Sequence, residues 1–140
     1  MIVVDTNVVS ELIRPQPAPS VIGWVRQHGT FALHTTAITV AEIRYGIERL
    51  TDGRRKDQLS EAAVEVFSAF AEQVLPFDAR AALEYAAVVC DRDRVGLPID
   101  GFDAQIAAIC RAHRATLATR NTKDFRDVGV DIIDPWRYGR

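Results

Sequence analysis

The chain has 140 residues, of which 48% are hydrophobic and 26% are charged, and its net charge at pH 7 is −2. A chain of this size can bury a full core as one globular domain. It holds no apolar run near the roughly 20 residues that cross a bilayer and no recognisable signal peptide, so we expect a cytoplasmic protein with no membrane association. The small negative charge argues against non-specific nucleic-acid binding but does not exclude a nucleic-acid substrate.

The cysteines and histidines show no pattern typical of a zinc site or of a catalytic triad. Cys90 and Cys110 each lie in an apolar helical pattern, so we expect both to be buried in a reducing compartment. Neither has a second Cys or His at ligand spacing. His28, His34 and His113 are too scattered to form a zinc site or a Ser-His-Asp arrangement.

The first strand ends at an acidic residue. Ile2 to Val4 is an apolar, β-branched run typical of a buried strand, and it stops at Asp5, which is followed by Thr6 and Asn7. Ligands of open parallel α/β sheets bind at the C-terminal ends of strands, so Asp5 is a candidate functional residue. These residues are also good helix caps, and the alternative that Asp5 or Thr6 only begins the next helix stays open here.

Helices and strands alternate in the next segment. A short helical pattern ends before three closely spaced prolines, and Ser20 is expected to cap a second helix that Gly29 ends. Residues 31–34 form the second predicted strand. Helical spacing resumes at Thr39, where Thr39-Val40-Ala41-Glu42 matches a capping box, and this structural role alone would account for Glu42.

The second half of the chain continues the alternation. A polar turn with basic residues at 54–56 is followed by an amphipathic helix over 59–74 and by a strand at 74–77, which Pro76 marks as an edge strand. Asp78 is expected to cap the next helix. The last predicted elements are an apolar helix capped by Asp100 with Asp103 in its first turn, a strand at 115–119, a polar loop containing Asp124, and a strand at 130–133 stopped by 134–136.

This alternation brings four acids to one edge of a sheet. Strands joined by helices imply a parallel sheet covered on both faces, with all the strand C-termini and the following helix N-termini on one side. Asp5, Glu42, Asp103 and Asp124 all fall at such positions, so capping and function are compatible. Gathered carboxylates repel one another unless a cation intervenes. Oxygen donors without His or Cys favour Mg²⁺ or Mn²⁺, and the matching reaction is phosphodiester hydrolysis.

The motifs that carry these acids follow one another along almost the whole chain. They are Asp5-Thr6-Asn7, Thr39-Val40-Ala41-Glu42-Ile43-Arg44-Tyr45-Gly46-Ile47, Asp103-Ala104-Gln105-Ile106-Ala107-Ala108 and Thr119-Arg120-Asn121-Thr122-Lys123-Asp124-Phe125. Their order and spacing resemble those of PIN-domain nucleases and, with the terminal Asp134-Pro135-Trp136, more closely those of VapC/FitB-type toxins of type II toxin–antitoxin pairs. The resemblance implies a single PIN domain over 1–140, an α/β fold of three α/β/α layers whose central parallel sheet has about five strands in the order 3-2-1-4-5.

The resemblance also implies a Mg²⁺-dependent endoribonuclease, with Mn²⁺ as a substitute. By this resemblance Asp5 and Asp103 hold the metal, directly or through water, while Glu42 and Asp124 complete the shell and orient the attacking water. Asp100 does not map onto the family pattern and is expected to be only a cap. The resemblance places Thr6 and Asn121 at the border of the site. Several basic residues are candidates for substrate contact: Arg44, Arg49, Arg54, Arg55, Lys56, Arg120 and Lys123.

The partners implied by the resemblance are RNA, a second copy of the chain and a small cognate antitoxin. The antitoxin is expected to wrap the toxin and insert a basic side chain, usually Arg, into the acid cluster, where a guanidinium can satisfy carboxylates bidentately. Higher assemblies with the antitoxin would bind operator DNA through the antitoxin. Two alternatives remain at this point: a phosphohydrolase with Asp5 as nucleophile, although position 7 is Asn instead of the usual second acid, and a non-catalytic dimerising interaction module.

Overall fold

The computed structural model describes residues 1–29 and 31–140, in which short parallel strands alternate with helices. The strands are β1 (Ile2–Val4), β2 (Leu33–Thr36), β3 (Val74–Leu75), β4 (Thr116–Ala118) and β5 (Ile132–Ile133). The α-helices are α1 (Thr6–Ile13), α2 (Pro19–His28), α3 (Ala37–Glu48), α4 (Arg54–Phe70), α5 (Ala79–Arg94) and α6 (Gly101–His113). Two 3₁₀ turns follow the last two strands, at Thr122–Phe125 and Pro135–Arg137.

The five strands form one parallel sheet in the order β3-β2-β1-β4-β5. The central strand is β1, where Val3 lies opposite His34 of β2 and Leu117 of β4. The chain leaves β1 toward one side of the sheet and returns to the other side at β4, so the strand order reverses between these two strands. The predicted fold class and the predicted strand order are confirmed, and the point of reversal is where such sheets bind ligands.

Two apolar clusters cover the two faces of the sheet. Val3 and Val4 are both 0% exposed but belong to different clusters, because consecutive residues of a strand point to opposite faces. Val4 packs with residues of α1, α2, α3 and α4, whereas Val3 packs with residues of α5 and α6. This arrangement gives the three α/β/α layers. Within 1–29 and 31–140, no helix is both long enough and apolar enough to span a membrane.

Several predicted helix starts are confirmed. Asp5 is the N-cap of α1, and its Oδ1 accepts a 2.8 Å hydrogen bond from the Thr6 backbone N–H. Asp78 and Asp100 cap α5 and α6, and Asp103 is the third residue of α6. The caps at Asp5 and Asp100 therefore place acidic side chains at the edge of the sheet where β1 ends.

The predicted capping box at Thr39 is wrong. α3 begins at Ala37, and its N-cap is Thr36, the last residue of β2, whose hydroxyl accepts from the Thr39 backbone N–H at 3.1 Å. The strand end supplies the cap three residues earlier than the local sequence pattern suggested. Glu42 consequently lies in the second turn of α3, where its carboxylate has no capping duty.

Three smaller predictions also need correction. Ser20 does not cap α2, which begins at Pro19 after Ala18 because the fixed φ of proline suits a first helical turn. The basic residues at 54–56 form the first turn of α4, whose polar start carries no apolar periodicity. Cys90 is exposed on α5, whereas Cys110 is buried as predicted.

A buried arginine connects two loops to α5. Arg92 is 5% exposed, its Nε donates to the Leu97 carbonyl at 2.6 Å, and its Nη1 donates to the carbonyls of Asp124 and Arg126 at 2.6 and 3.0 Å. The 3₁₀ turn after β4 is therefore held by its main chain. This contact fixes the backbone that carries Asp124.

We expect Arg92→Met to lower the free energy of unfolding by about 2 kcal/mol, because the carbonyls lose a charged donor that methionine cannot replace. Urea denaturation measures the change. Arg94→Met is the matched control on the same helix, since the Arg94 side chain is 75% exposed and its loss should change stability by less than about 0.5 kcal/mol. Equal losses in the two variants would contradict the role given to Arg92.

Candidate active site

A pocket of about 410 Å³ lies beyond the C-terminal ends of β1 and β4. It is lined by Asp5, Thr6, Asn7, Ser10, Glu11, Arg14, Glu42, Asp103, Arg120, Asn121 and Trp136. The structure thus brings together the predicted acids of β1, α3 and α6 with the predicted bordering residues. Asp124 lies outside this lining, on the exposed surface of the neighbouring 3₁₀ turn.

Asp5 is held at both carboxylate oxygens by neutral donors. It is 3% exposed, and besides the Thr6 backbone N–H at Oδ1 it accepts hydrogen bonds at Oδ2 from the Thr119 hydroxyl at 2.8 Å and the Asn7 amide at 3.3 Å. Burial raises the pKa of Asp5, while the hydrogen bonds from Thr119 and Thr6 hold it down and the charge of Asp124 raises it. The side chain is therefore fixed in position by uncharged hydrogen-bond donors.

Thr119 is a site residue to which the sequence argument gave no role. It is fully buried at the end of β4, where its hydroxyl donates to Asp5 and accepts from the Asn7 side chain and the Asn121 backbone, both at 3.1 Å. It therefore joins the central strand to the start of the Arg120 to Asp124 loop. The signal was its place at a strand end, which is the same signal that identified Asp5.

A row of hydroxyls positions Glu42. The Thr6 hydroxyl donates to Glu42 Oε1 at 2.8 Å and lies 3.1 Å from the Thr39 hydroxyl. Because Thr6 has only one hydroxyl hydrogen, Thr39 must be the donor in the second contact, and the Thr36 hydroxyl donates to Thr39 in turn at 3.4 Å. The donors all point from the end of β2 toward the Glu42 carboxylate.

Burial and mutual repulsion shape the electrostatics of the pocket. Burial, followed by the charges of Asp5, Asp100, Asp124 and Glu42, raises the pKa of Asp103 to about 7. The pKa of Glu42 is also raised, mainly by burial, although the hydrogen bond from Thr6 opposes the shift. Asp124 therefore acts on the pocket through its charge although its side chain does not line it.

The donor set suits a hard cation. The acids that line the pocket offer oxygen ligands, and the pocket lining contains neither His nor Cys. Across residues 1–29 and 31–140, no group of three His, Cys, Asp or Glu side chains is arranged to hold a metal ion by itself. Mg²⁺ is commonly bound by one or two carboxylates together with water and substrate oxygens, so a pair such as Asp5 and Asp103 is a sufficient protein contribution.

The sequence profile of the PIN domain matches residues 2–131. The chain belongs to the PIN-domain family. This PIN domain is 40% identical to the VapC ribonuclease Y4jK of Sinorhizobium fredii over 97% of its own length and 98% of that protein. It is 38% identical to the toxin FitB of Neisseria gonorrhoeae, over 97% of its own length and 99% of that protein. The resemblance to VapC/FitB-type toxins is confirmed.

Comparison of the fold with solved structures gives the same family relationship. A chain in the solved structure of FitAB bound to an IR36 DNA fragment superposes on this PIN domain with a TM-score of 0.91 and 37% sequence identity. The match covers 100% of this chain and 99% of that chain. The helices and strands that place Asp5, Glu42 and Asp103 therefore belong to an architecture shared over the full length.

We expect the metal-free PIN domain to become less stable as the pH rises from about 4 to about 7. In the folded state Asp103 keeps its proton up to a pKa of about 7, whereas in the unfolded chain it loses the proton near pH 4. The folded state binds more protons in this interval, so the free energy of unfolding falls as the pH rises and levels off above it. Thermal unfolding in chelator at several pH values measures the effect.

The matched variant is Asp103→Asn, which cannot titrate. We expect it to be more stable than the wild-type protein at pH 8 in chelator and to depend less steeply on pH. Asp5 and Glu42 keep their raised pKa values, so part of the slope should remain. Parallel pH profiles for the two proteins would show that Asp103 does not carry the effect.

Proposed function

We propose that this chain is the toxin of a toxin–antitoxin pair and that its single PIN domain is a Mg²⁺-dependent endoribonuclease. The main support is the acidic pocket at the point of strand-order reversal, where burial and repulsion raise the pKa of Asp5, Glu42 and Asp103. The names of the full-length relatives, a VapC ribonuclease and the toxin FitB, supply the substrate class and the biological role.

In this proposal Asp5 and Asp103 hold the ion. When bound there, Mg²⁺ would lower the pKa of a coordinated water and stabilise charge on the phosphate oxygens. Thr119, Asn7 and the Thr6 backbone keep the Asp5 carboxylate in one orientation. Removing this support would leave the first ligand free to rotate away from the pocket.

Glu42 is assigned the orientation of the attacking water. The Oε1 atom of Glu42 accepts a hydrogen bond from the Thr6 hydroxyl, and Glu42 lines the pocket together with Asp5 and Asp103. A raised pKa makes a carboxylate a better proton acceptor near neutral pH, which suits this role. Asp124 supports the same site through its charge, and Asn121 and Arg120 border the substrate.

The alternative phosphohydrolase has less support. Asn7 stands where a second acid would be needed, and its side-chain amide donates to both Asp5 and Thr119. Both oxygens of Asp5 are engaged in hydrogen bonds, which suits a fixed metal ligand better than a nucleophile that must approach phosphorus. A non-catalytic dimerising module would leave the buried acids without a purpose that offsets their cost to stability.

We further propose a cognate small antitoxin as partner. It would insert an arginine into the pocket, where a planar guanidinium can bind Asp5 and its neighbouring acids bidentately in place of the metal. The solved structure of FitAB bound to an IR36 DNA fragment supports an assembly that binds DNA. In this proposal the DNA is the operator and the antitoxin makes the contact. Homodimerisation of the toxin is part of the same proposal.

We expect Asp5→Asn and Asp103→Asn each to lower Mg²⁺-dependent RNA cleavage about 100-fold or more, because an amide is a far weaker ligand for Mg²⁺ than a carboxylate. Cleavage of a labelled RNA is measured with and without chelator, and thermal unfolding confirms that the variants fold. Asp52→Asn is the control, since the Asp52 side chain is 96% exposed on another surface. Undiminished cleavage in both site variants would overturn the proposal.

Expression in a bacterial host tests the biological role. We expect the wild-type chain to arrest growth, the Asp5→Asn variant to be tolerated, and co-expression of the small neighbouring gene to restore growth to the wild-type strain. Cell growth and the integrity of total RNA are followed together. Growth arrest by Asp5→Asn equal to that of the wild-type chain would favour the non-catalytic interaction module.

A further inference from the structure

The pocket is lined by basic and aromatic side chains as well as by acids. Arg14, Arg120 and Trp136 line it together with Asp5, Glu42 and Asp103. The Arg120 guanidinium lies over the Trp136 ring, with its central carbon 5.1 Å from the ring centroid. A metal at the acids accounts for the binding of one phosphate. It does not explain which part of the substrate Arg120 and Trp136 contact.

The Arg120–Trp136 pair is connected rigidly to the acids. The Arg120 backbone N–H donates to Asn7 Oδ1 at 3.3 Å, and the same Asn7 side chain donates to Asp5 and to Thr119. Thr119 directly precedes Arg120 in the chain. The position of the Arg120 backbone is therefore defined relative to Asp5 by a short hydrogen-bonded path, and the guanidinium is held against the Trp136 ring.

Trp136 is anchored from behind. It is half-buried and packs against the apolar cluster that contains Val4 and Val9. Its backbone N–H donates a hydrogen bond to Asp134 Oδ1 at 3.0 Å. Two residues later the Tyr138 ring packs so closely against α2 that a Cβ at Gly23 would meet it at 3.0 Å. The ring that supports the guanidinium is thus part of the folded body, whereas Arg120 is exposed to solvent.

We propose that the Arg120–Trp136 pair is a nucleobase-binding subsite, in which a base flanking the scissile phosphate stacks on the guanidinium plane that Trp136 supports. Single-stranded RNA is bound in this way, with bases on aromatic rings or arginine planes and phosphates on basic side chains. Arg14 lines the same pocket with a side chain that is 65% exposed, and its guanidinium forms an ion pair with Glu11 at 3.3 Å. The inference rests on RNA being the substrate, as proposed above.

The charge of the pocket explains why such a subsite is needed. The protein carries a net charge of −2, and Asp5, Glu42 and Asp103 line the pocket, so an RNA strand would be repelled beyond the phosphate that the metal neutralises. Stacking supplies affinity that does not depend on net charge. The Arg120 guanidinium also supplies a positive charge beside the bound strand.

The test compares wild-type protein with Arg120→Lys, which keeps the charge but removes the planar surface. A set of fluorescein-labelled single-stranded RNA oligonucleotides of one sequence is made, with one abasic nucleotide at each position in turn. Binding is measured by fluorescence anisotropy with Ca²⁺ in place of Mg²⁺, and cleavage is measured separately with Mg²⁺. Arg137→Lys is the control, because Arg137 follows Trp136, is 83% exposed and lies outside the pocket lining.

We expect one abasic position to weaken binding to wild-type protein and to Arg137→Lys by about 10-fold. The same abasic position should weaken binding to Arg120→Lys by less than about 2-fold, since that variant has already lost the stacking surface. Equal abasic penalties in all three proteins, or none in wild type, would overturn the subsite. Unchanged RNA binding by Arg120→Lys together with weaker antitoxin binding would assign the surface to the protein partner instead.

The two measurements separate the subsite from the proposed function. Absence of RNA cleavage by wild-type protein would defeat the proposed function, while the binding series would still support or overturn the subsite. Normal cleavage with no abasic effect on binding would leave the nuclease assignment intact and remove only the role given to Arg120 and Trp136.

Discussion

The site depends on the electrostatic cost of holding carboxylates together away from water. Burial is the larger part of this cost and mutual repulsion adds to it. Asp5 follows β1 directly, whereas Glu42 and Asp103 come from α3 and α6. The charge of Asp5 raises the pKa of both Glu42 and Asp103, and the charge of Glu42 raises that of Asp103. The fold holds Asp5 and Glu42 with hydroxyls, an amide and a backbone N–H instead of basic side chains. Neutral donors fix the geometry of these acids and leave their negative charge available to a cation.

The central strand makes this geometry possible with very few residues. Val3 and Val4 face opposite sides of the sheet and bury into separate clusters, so the next residue, Asp5, is placed at the edge with no freedom of register. A slip of one residue would exchange the two faces and bury the carboxylate in an apolar layer. Hydrophobic packing on two sides thus determines the position of a polar ligand.

Much of this could be predicted from the sequence because strand ends and helix starts carry local signals. Asp5, Asp78 and Asp100 lie where their cap patterns place them. The capping-box pattern at Thr39 gave the wrong helix start because Thr36, at the end of β2, caps α3 instead. No local rule ranks a cap at Thr36 above a capping box at Thr39. Arg92 could not be found, since its acceptors at 124 and 126 lie over 30 residues away.

Arg92 holds the turn after β4 by donating hydrogen bonds to main-chain carbonyls, which every amino acid possesses. Apart from the buried Phe125, the side chains of the turn that it holds, including those of Lys123 and Arg126, are exposed and take no part in the anchor. Natural variation can therefore change the charge and size of this turn at little cost to its placement. Substitutions at the exposed positions of this turn would therefore alter the surface beside the acids while the main chain of the turn stays in place.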